Sequence, residues 1–222
     1  MPSTTDTRQR IIIGARDLYL REGLPGLSMR KVAGLVGISA PAIYRHFENK
    51  AAIMLAILDE GFQLFTSYLW RGLEGRDACE RLALTSIGYI RFALEQPAYY
   101  RIMFMSPAED IGLSGISESN RARISPTFQF LVDRVRECID VQMIGNGDAG
   151  ELAAVLWASC RGLAALQLAG GLHRGPADGM SLAKLTSMSF TRLTGIDMGH
   201  EFFKQQIDES KVARKTAAEV TL

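Results

Sequence analysis

Cysteine, histidine and strand-forming runs are what this 222-residue chain has least of. Its three cysteines, Cys79, Cys138 and Cys160, are odd in number, far apart and in no metal-ligand spacing. They read as free thiols of a reducing cytoplasm, not as a disulfide framework. The three histidines, His46, His173 and His200, are too scattered for a His-rich metal site, and neither a metal nor a cofactor is expected. Alternating Val/Ile/Thr runs separated by Asn-Gly or Asp-Gly pairs do not occur, which argues against a sheet. The longest uncharged apolar runs fall well short of the roughly 20 residues that a membrane span needs. The stretch Met1 to Thr7 is polar, unlike a secretory leader. Neither a G-x-S-x-G elbow nor a P-loop is present, so an all-α enzyme is the weakest of the function classes.

What is there is ordinary in amount and uneven in placement. Hydrophobic residues make up 47% and charged residues 22%, enough for a sizeable core. The formal net charge is +1. Residues 1–50 carry Arg8, Arg10, Arg16, Arg21, Arg30, Lys31, Arg45 and Lys50 against Asp6, Asp17, Glu22 and Glu48, a balance of +4, and the rest of the chain sums to −3. A basic head on a slightly acidic body suggests that one end meets a polyanion.

Helical periodicity covers nearly the whole chain and predicts an all-α protein of about nine helices. The first spans Thr7 to about Glu22, capped by Asp6 with Gln9 reaching back, and is stopped by Gly23 and Pro25-Gly26. Ser28 caps a short helix with Met29, Val32, Ala33 and Val36 at helical spacing, and Gly37 breaks it. Ser39 caps the next, with Ala40, Ile43 and Phe47 inward and Pro41 in its first turn. Longer helices follow over residues 50–71, 77–96, 125–144, 148–170 and 181–193, with a short one over 98–105. Residues 106–120 and 171–179 read as loops, and a further helix is indicated near 201–214. The expected domains are 1–48, a helix-turn-helix head; 49–195, a larger helical body; and 196–222, a tail.

Residues 28–47, SMRKVAGLVGISAPAIYRHF, carry the most information. Two short helices joined by a glycine turn make a helix-turn-helix. With Ala40, Ile43 and Phe47 inward, the second helix presents Pro41, Ala42, Tyr44, Arg45 and His46. These are small residues for close approach to the major groove, then donors for base edges and phosphates. Lys50 opens the next helix, where its ammonium and the terminal amides can hold a phosphate. The candidate DNA-contacting set is completed by Ser28, Arg30 and Ser39. A plain helical hairpin with a solvated face is the bland alternative; the basic head, the turn spacing and the mix of Tyr, Arg and His weigh against it.

Arg10 to Ile53 resembles the DNA-binding domain of TetR-family transcriptional regulators. The residues that carry the resemblance are Ala15, Leu18, Gly23, Ser28, Val32, Ala33, Val36, Gly37, Ser39, Ile43, Tyr44, His46, Phe47, Lys50 and Ile53. The resemblance implies phosphate contacts from Tyr44 and Lys50, while Arg45 stands at a variable position. Tyr89 to Phe104 and Leu156 to Leu163 resemble the subgroup whose C-terminal domain carries a Trp-His-Gly signature, with Arg161 here in place of the histidine.

From these readings follow the partners: a double-stranded DNA operator, a small-molecule effector, and a second copy of the chain, since one helix-turn-helix reads too few base pairs. Ala158, Gly162, Ala165 and Ala169 form a small-residue stripe suited to close helix approach. With Leu182, Leu185, Met188, Ser189 and Arg192 they are the expected dimer surface. Phe65, Phe92, Met103, Phe104, Phe128 and Trp157 are the candidate effector pocket. Arg161 is either stacked on Trp157, paired with Glu95 or Glu137, or a docking point for a carboxylate effector. The leading function is a cytoplasmic repressor released from a palindromic operator by an apolar or amphipathic effector. The alternative is an architectural DNA-binding protein with no effector.

Overall fold

The computed structural model describes residues 4–106, 116–173 and 180–207, with backbone alone at 4–5, 116–125 and 173. Every regular element among them is helical. Ten α-helices follow in order: α1 Thr4–Gly26, α2 Met29–Leu35, α3 Ala40–Tyr44, α4 Lys50–Trp70, α5 Ala78–Glu95, α6 Pro97–Tyr100, α7 Ile116–Asp140, α8 Ala149–Leu168, α9 Leu182–Thr194 and α10 His200–Gln206. A 3-10 turn, Arg71–Glu74, joins α4 to α5, and a π-helical turn, Arg101–Met105, extends α6.

Side-chain oxygens start most of these helices by accepting from an otherwise orphaned amide. Ser28 accepts from Lys31 at 3.3 Å, Ser39 from Ala42 at 3.3 Å and Asn49 from Ala52 at 2.9 Å. Asp77, Asp148 and Ser181 cap α5, α8 and α9 in the same way. Each such cap is worth about 1 kcal/mol.

Four expectations need correction. Helix α1 is already formed at Thr4, so Asp6 lies inside its first turn, not at its cap. Ala40 is exposed, because a five-residue helix turns only Ile43 fully inward. Helix α7 starts at Ile116, so 116–120 is helical where a loop is expected; 107–115 lie outside the described residues. The tail helix occupies His200–Gln206, and the rest of its expected span, to 214, lies outside them too. Gly23 does interrupt α1, at φ 67°, before a last stretch that carries Pro25.

The chain divides into two compact units, Met1–Gln63 with Ala98–Arg123 and Leu64–Pro97 with Ile124–Leu222. In the first, Ile11, Ala15, Leu18, Val32, Ile43, Ile53 and Ile57 are all buried to within 2%. A polar cluster sits in the same unit. Tyr99 donates to Glu60 at 2.6 Å, Gln9 donates to the same carboxylate oxygen at 2.9 Å, and Arg16 lies 5.0 Å from the Tyr99 ring centre. Burial, then the Glu60 charge, pushes the Tyr99 hydroxyl up to about 12, so it stays a neutral donor.

In the second unit α5 is the central helix, with Leu82, Ala83, Ile90, Phe92 and Ala93 fully buried. Cys138 Sγ donates to the Ala78 carbonyl at 3.3 Å, and burial pushes the Cys138 and Cys160 thiols up to about 12. All three cysteines are free. Two helical stretches, Lys50–Glu74 and Ala149–Leu168, are long and apolar enough to cross a membrane by length and a mean hydropathy of 1.2, which the short uncharged runs do not suggest. The first is 56% buried within the protein and the second only 22%. Helix α8 therefore keeps an open apolar side.

The 3-10 turn sorts its residues by thirds, because residues three apart eclipse. Gly72 and Gly75 are buried against α5, whereas Trp70 with Leu73 and Arg71 with Glu74 are exposed. A Cβ at position 72 would stand 2.1 Å from Thr85 Oγ1 and 2.9 Å from the Arg81 carbonyl oxygen. At Gly162, by contrast, it would meet nothing within 4 Å. Gly72→Ala should therefore destabilise by about 1–3 kcal/mol, in the range of overpacked sites, while Gly162→Ala should leave the fold of the single chain unstrained. Urea unfolding of both variants compares them, and equal midpoints would refute the close contact.

Candidate DNA interface and effector region

Helix α2 ends in a motif that sets the angle of the turn. The Ile38 amide donates to the Ala33 carbonyl at 3.0 Å and the Gly37 amide to that of Gly34 at 3.3 Å. This is the Schellman arrangement, with Gly37 at φ 70° in the left-handed position that a side chain disfavours. Arg10 of α1 donates from Nη2 to the Val36 carbonyl, which satisfies a further terminal acceptor of α2. Arg8 lies 5.0 Å from the ring centre of Phe47, which is buried beyond the end of α3. Neither clamp has a periodic signature, since each joins residues more than 20 positions apart.

The outward side of α3 shows Pro41, Tyr44 and Arg45 exposed, Tyr44 to 56%, with Ala42 and His46 half-buried. Arg30 and Lys50 are exposed, and Lys50 is the first residue of α4. Ser28 and Ser39 spend an oxygen lone pair on their caps and keep a hydroxyl proton to donate. Arg8, Arg10, Arg16 and Lys31 are engaged within the protein, Arg16 with Asp17 at 2.8 Å and Lys31 with Glu22 at 2.7 Å. The +4 balance of the head already counts Asp17 and Glu22, so these contacts leave its net charge unchanged and fix where four of its cations stand.

The effector candidates fall into groups. Phe65 and Phe92 are buried with ring centres 5.1 Å apart, and Tyr89 lies 5.3 Å from Phe65. Phe104 packs on Phe62 at 6.3 Å and on Tyr100 at 5.2 Å. Met103 is half-buried, close enough that a Cβ at Gly61 would stand 2.5 Å from its sulfur. Phe128 and Trp157 are half-buried with ring centres 6.3 Å apart, and Arg161 lies 5.6 Å from the Trp157 ring centre. Glu95 accepts from Arg91 and Glu137 from Arg81 and Arg134. The seam lined by Ser86, Cys160, Thr186 and Phe190 is nearly closed, with about 10 Å³ of space, the scale of one water.

Of the expected dimer surface, Ala158, Gly162, Ala169, Met188 and Arg192 are exposed, and Ala165, Leu185 and Ser189 are half-buried. Ser189 hydrogen-bonds to Ser159, and Leu182 is 1% exposed, part of its own core. Gly145, Gly147 and Gly150 match G-x-G-x-x-G spacing, but the first two stand in the connection after α7 and the third in the first turn of α8, with a helix and not a strand before them, so the dinucleotide-binding context is lacking.

Comparison with known proteins agrees with this geometry. Residues 11–57 match the family described as bacterial regulatory proteins, tetR family, and residues 82–187 match the tetracyclin repressor-like C-terminal domain. The nucleoid occlusion factor SlmA of Vibrio vulnificus is 28% identical over 134 residues, 60% of this chain and 66% of its own length. The transcriptional regulator TtgR of Pseudomonas putida is 32% identical over 77 residues, 35% of this chain and 36% of its own length. These two alignments thus span two thirds of the relative's length or less. Among solved structures, a protein of unknown function from a Rhodococcus species superposes with a TM-score of 0.67 at 28% identity, covering 89% of this chain and 97% of that one. The TetR-family regulator PfmR of Thermus thermophilus shares the fold, with a TM-score of 0.61 at 15% identity over 94% of this chain and 99% of its own.

A helix-turn-helix head on an all-helical body defines a DNA-binding transcriptional regulator. The chain belongs to the TetR family. That family consists of regulators, not enzymes.

Lys50→Ala is expected to weaken specific and non-specific DNA binding alike and to reduce the salt slope by about one unit. Fluorescence anisotropy across a salt series measures both. Wild-type affinity at every salt concentration would remove Lys50 from the interface.

Proposed function

We propose that this chain is a cytoplasmic repressor that binds a palindromic double-stranded DNA operator as a homodimer and is released by a small apolar or amphipathic effector. The observation that carries the DNA contact is the exposed run of Pro41, Tyr44 and Arg45 beside Lys50. In this reading Tyr44 and Lys50 hold phosphates, and Arg45 with Ala42 and His46 reads base edges. Ser28, Arg30 and Ser39 brace the backbone.

The dimer is supported by the open side of α8. Val155 and Leu166 are 50% and 49% exposed, and Met188 on α9 is 46% exposed. Apolar side chains of this size tend to be covered when a partner is available. The small residues Ala158, Gly162 and Ala169 let a second helix approach closely. The effector would lie against Phe65, Phe92, Met103, Phe104, Phe128 or Trp157, with Arg161 as its polar contact. To lower operator affinity 100-fold it must favour the non-binding state by about 2.7 kcal/mol, an ordinary coupling. The second reading, DNA binding without an effector, draws on the likeness to a protein named for nucleoid occlusion.

A gel shift on a palindromic fragment, with and without apolar ligands, separates the two readings, since only the first shows ligand-dependent release. Gly162→Leu should weaken the dimer by about 1–3 kcal/mol if two helices meet there. Sedimentation equilibrium reads that shift, and an unchanged dimer would place the interface elsewhere. Phe128→Ala, at a half-buried site, should weaken effector binding while the ligand-free protein still binds DNA. Retained effector affinity would exclude Phe128 from the pocket.

A further inference from the structure

The second unit holds a cleft of about 310 Å³ that neither the DNA interface nor the aromatic groups use. Arg71 and Glu74 of the 3-10 turn line it together with Leu84, Ile87 and Arg91 of α5 and Gln206 of α10. Its size falls at the lower end of small-molecule sites, roughly 300–1,000 Å³.

Both guanidinium groups are held in place by one neighbouring carboxylate and its phenol partner. Glu95 accepts from Arg91 Nε at 2.9 Å and from the Tyr68 hydroxyl at 2.8 Å. The Tyr68 ring in turn lies under Arg71, 5.3 Å from ring centre to guanidinium carbon. Burial pushes the Glu95 carboxyl up, but Tyr68, Arg91 and Arg71 together hold it below the usual carboxylate value, so it stays charged and keeps its grip. Glu95 takes the Nε edge of Arg91, which leaves the Nη edge for a second planar anion. Arg71 is fixed from the backbone as well. Gly72 and Gly75 seat the 3-10 turn so closely on α5 that the turn cannot roll, and the same periodicity points Arg71 and Glu74 to one side. Leu84, half-buried, supplies the apolar contact in a mostly polar lining, and Ile87, 2% exposed, closes the cleft beneath it.

The geometry points to a binding site for a small organic monocarboxylate with a short apolar body, its carboxylate between Arg71 and Arg91 and its hydrocarbon against Leu84. Gln206 can donate a further hydrogen bond, and Glu74 excludes dianions by repulsion. The site borders the proposed effector region through the Tyr68 ring, 5.7 Å from that of Phe92, but shares none of its lining residues and does not rest on that reading.

Isothermal titration of the full chain with 4-methylpentanoate, at low and at physiological salt, tests the assignment. Saturable binding that weakens with salt is expected, and 4-methylpentylamine should not bind. Arg71→Gln and Arg91→Gln should each weaken binding about tenfold, the scale of one charge-assisted hydrogen bond. Glu74→Gln should tighten it by a smaller factor. Far-UV circular dichroism establishes that the variants are folded. In the wild type, the side-chain Nε–H signals of Arg71 and Arg91 should shift saturably with the same ligand, a readout that needs no substitution. No heat at millimolar ligand, equal binding of the amine, or affinity unchanged in both arginine variants would overturn the site.

Discussion

A recognition helix of five residues has no stability of its own, because nucleating a helix costs more than so few hydrogen bonds return. Its orientation depends on the burial of Ile43 and Phe47, 0% and 5% exposed, in the core of the first unit. The other features of the head serve that burial. Ser39 supplies the missing acceptor at the start, the Gly37 stop sets the angle at which α3 leaves α2, and Arg8 closes over Phe47. The exposed residues of α3 are thus the visible side of a short element whose hidden side determines its direction.

The head was legible in the sequence because its determinants are local. Caps at Ser28 and Ser39, a glycine in the turn and two inward apolar residues all act within a few positions of the chain. Ala40 was misplaced for a related reason, since five residues give too little period to distinguish a flank from a face. The start of α7 was missed because its first turns, rich in Ser, Asn and Arg, carry no apolar stripe. The Arg10 and Arg8 clamps and the Tyr99–Glu60–Gln9 cluster join distant segments, and no pattern along one helix announces them. At Gly72 and Gly75 the helix end was readable, but not the contact with α5 that makes the spacing of three significant.

The two apolar helices show how composition and burial separate. In helix α4 and the turn after it 56% of the most apolar stretch is buried within the chain, whereas in α8 only 22% is, with Val155 and Leu166 half exposed. Glu151 and Arg161 interrupt α8, and Arg161 lies over Trp157. An apolar helix with polar breaks and a run of small side chains suits contact with another protein surface better than contact with lipid.

The 3-10 connection makes the length of the link between α4 and α5 a matter of phase. At three residues per turn, adding or deleting one residue rotates every later side chain by about 120°. A deletion ahead of Gly72 would bring Leu73 into the slot against Thr85 and Arg81, where even one methyl has no room. Homologues that keep this seat should therefore vary its exposed residues freely while holding its residue count constant, and changes of length in this part of the chain should appear elsewhere.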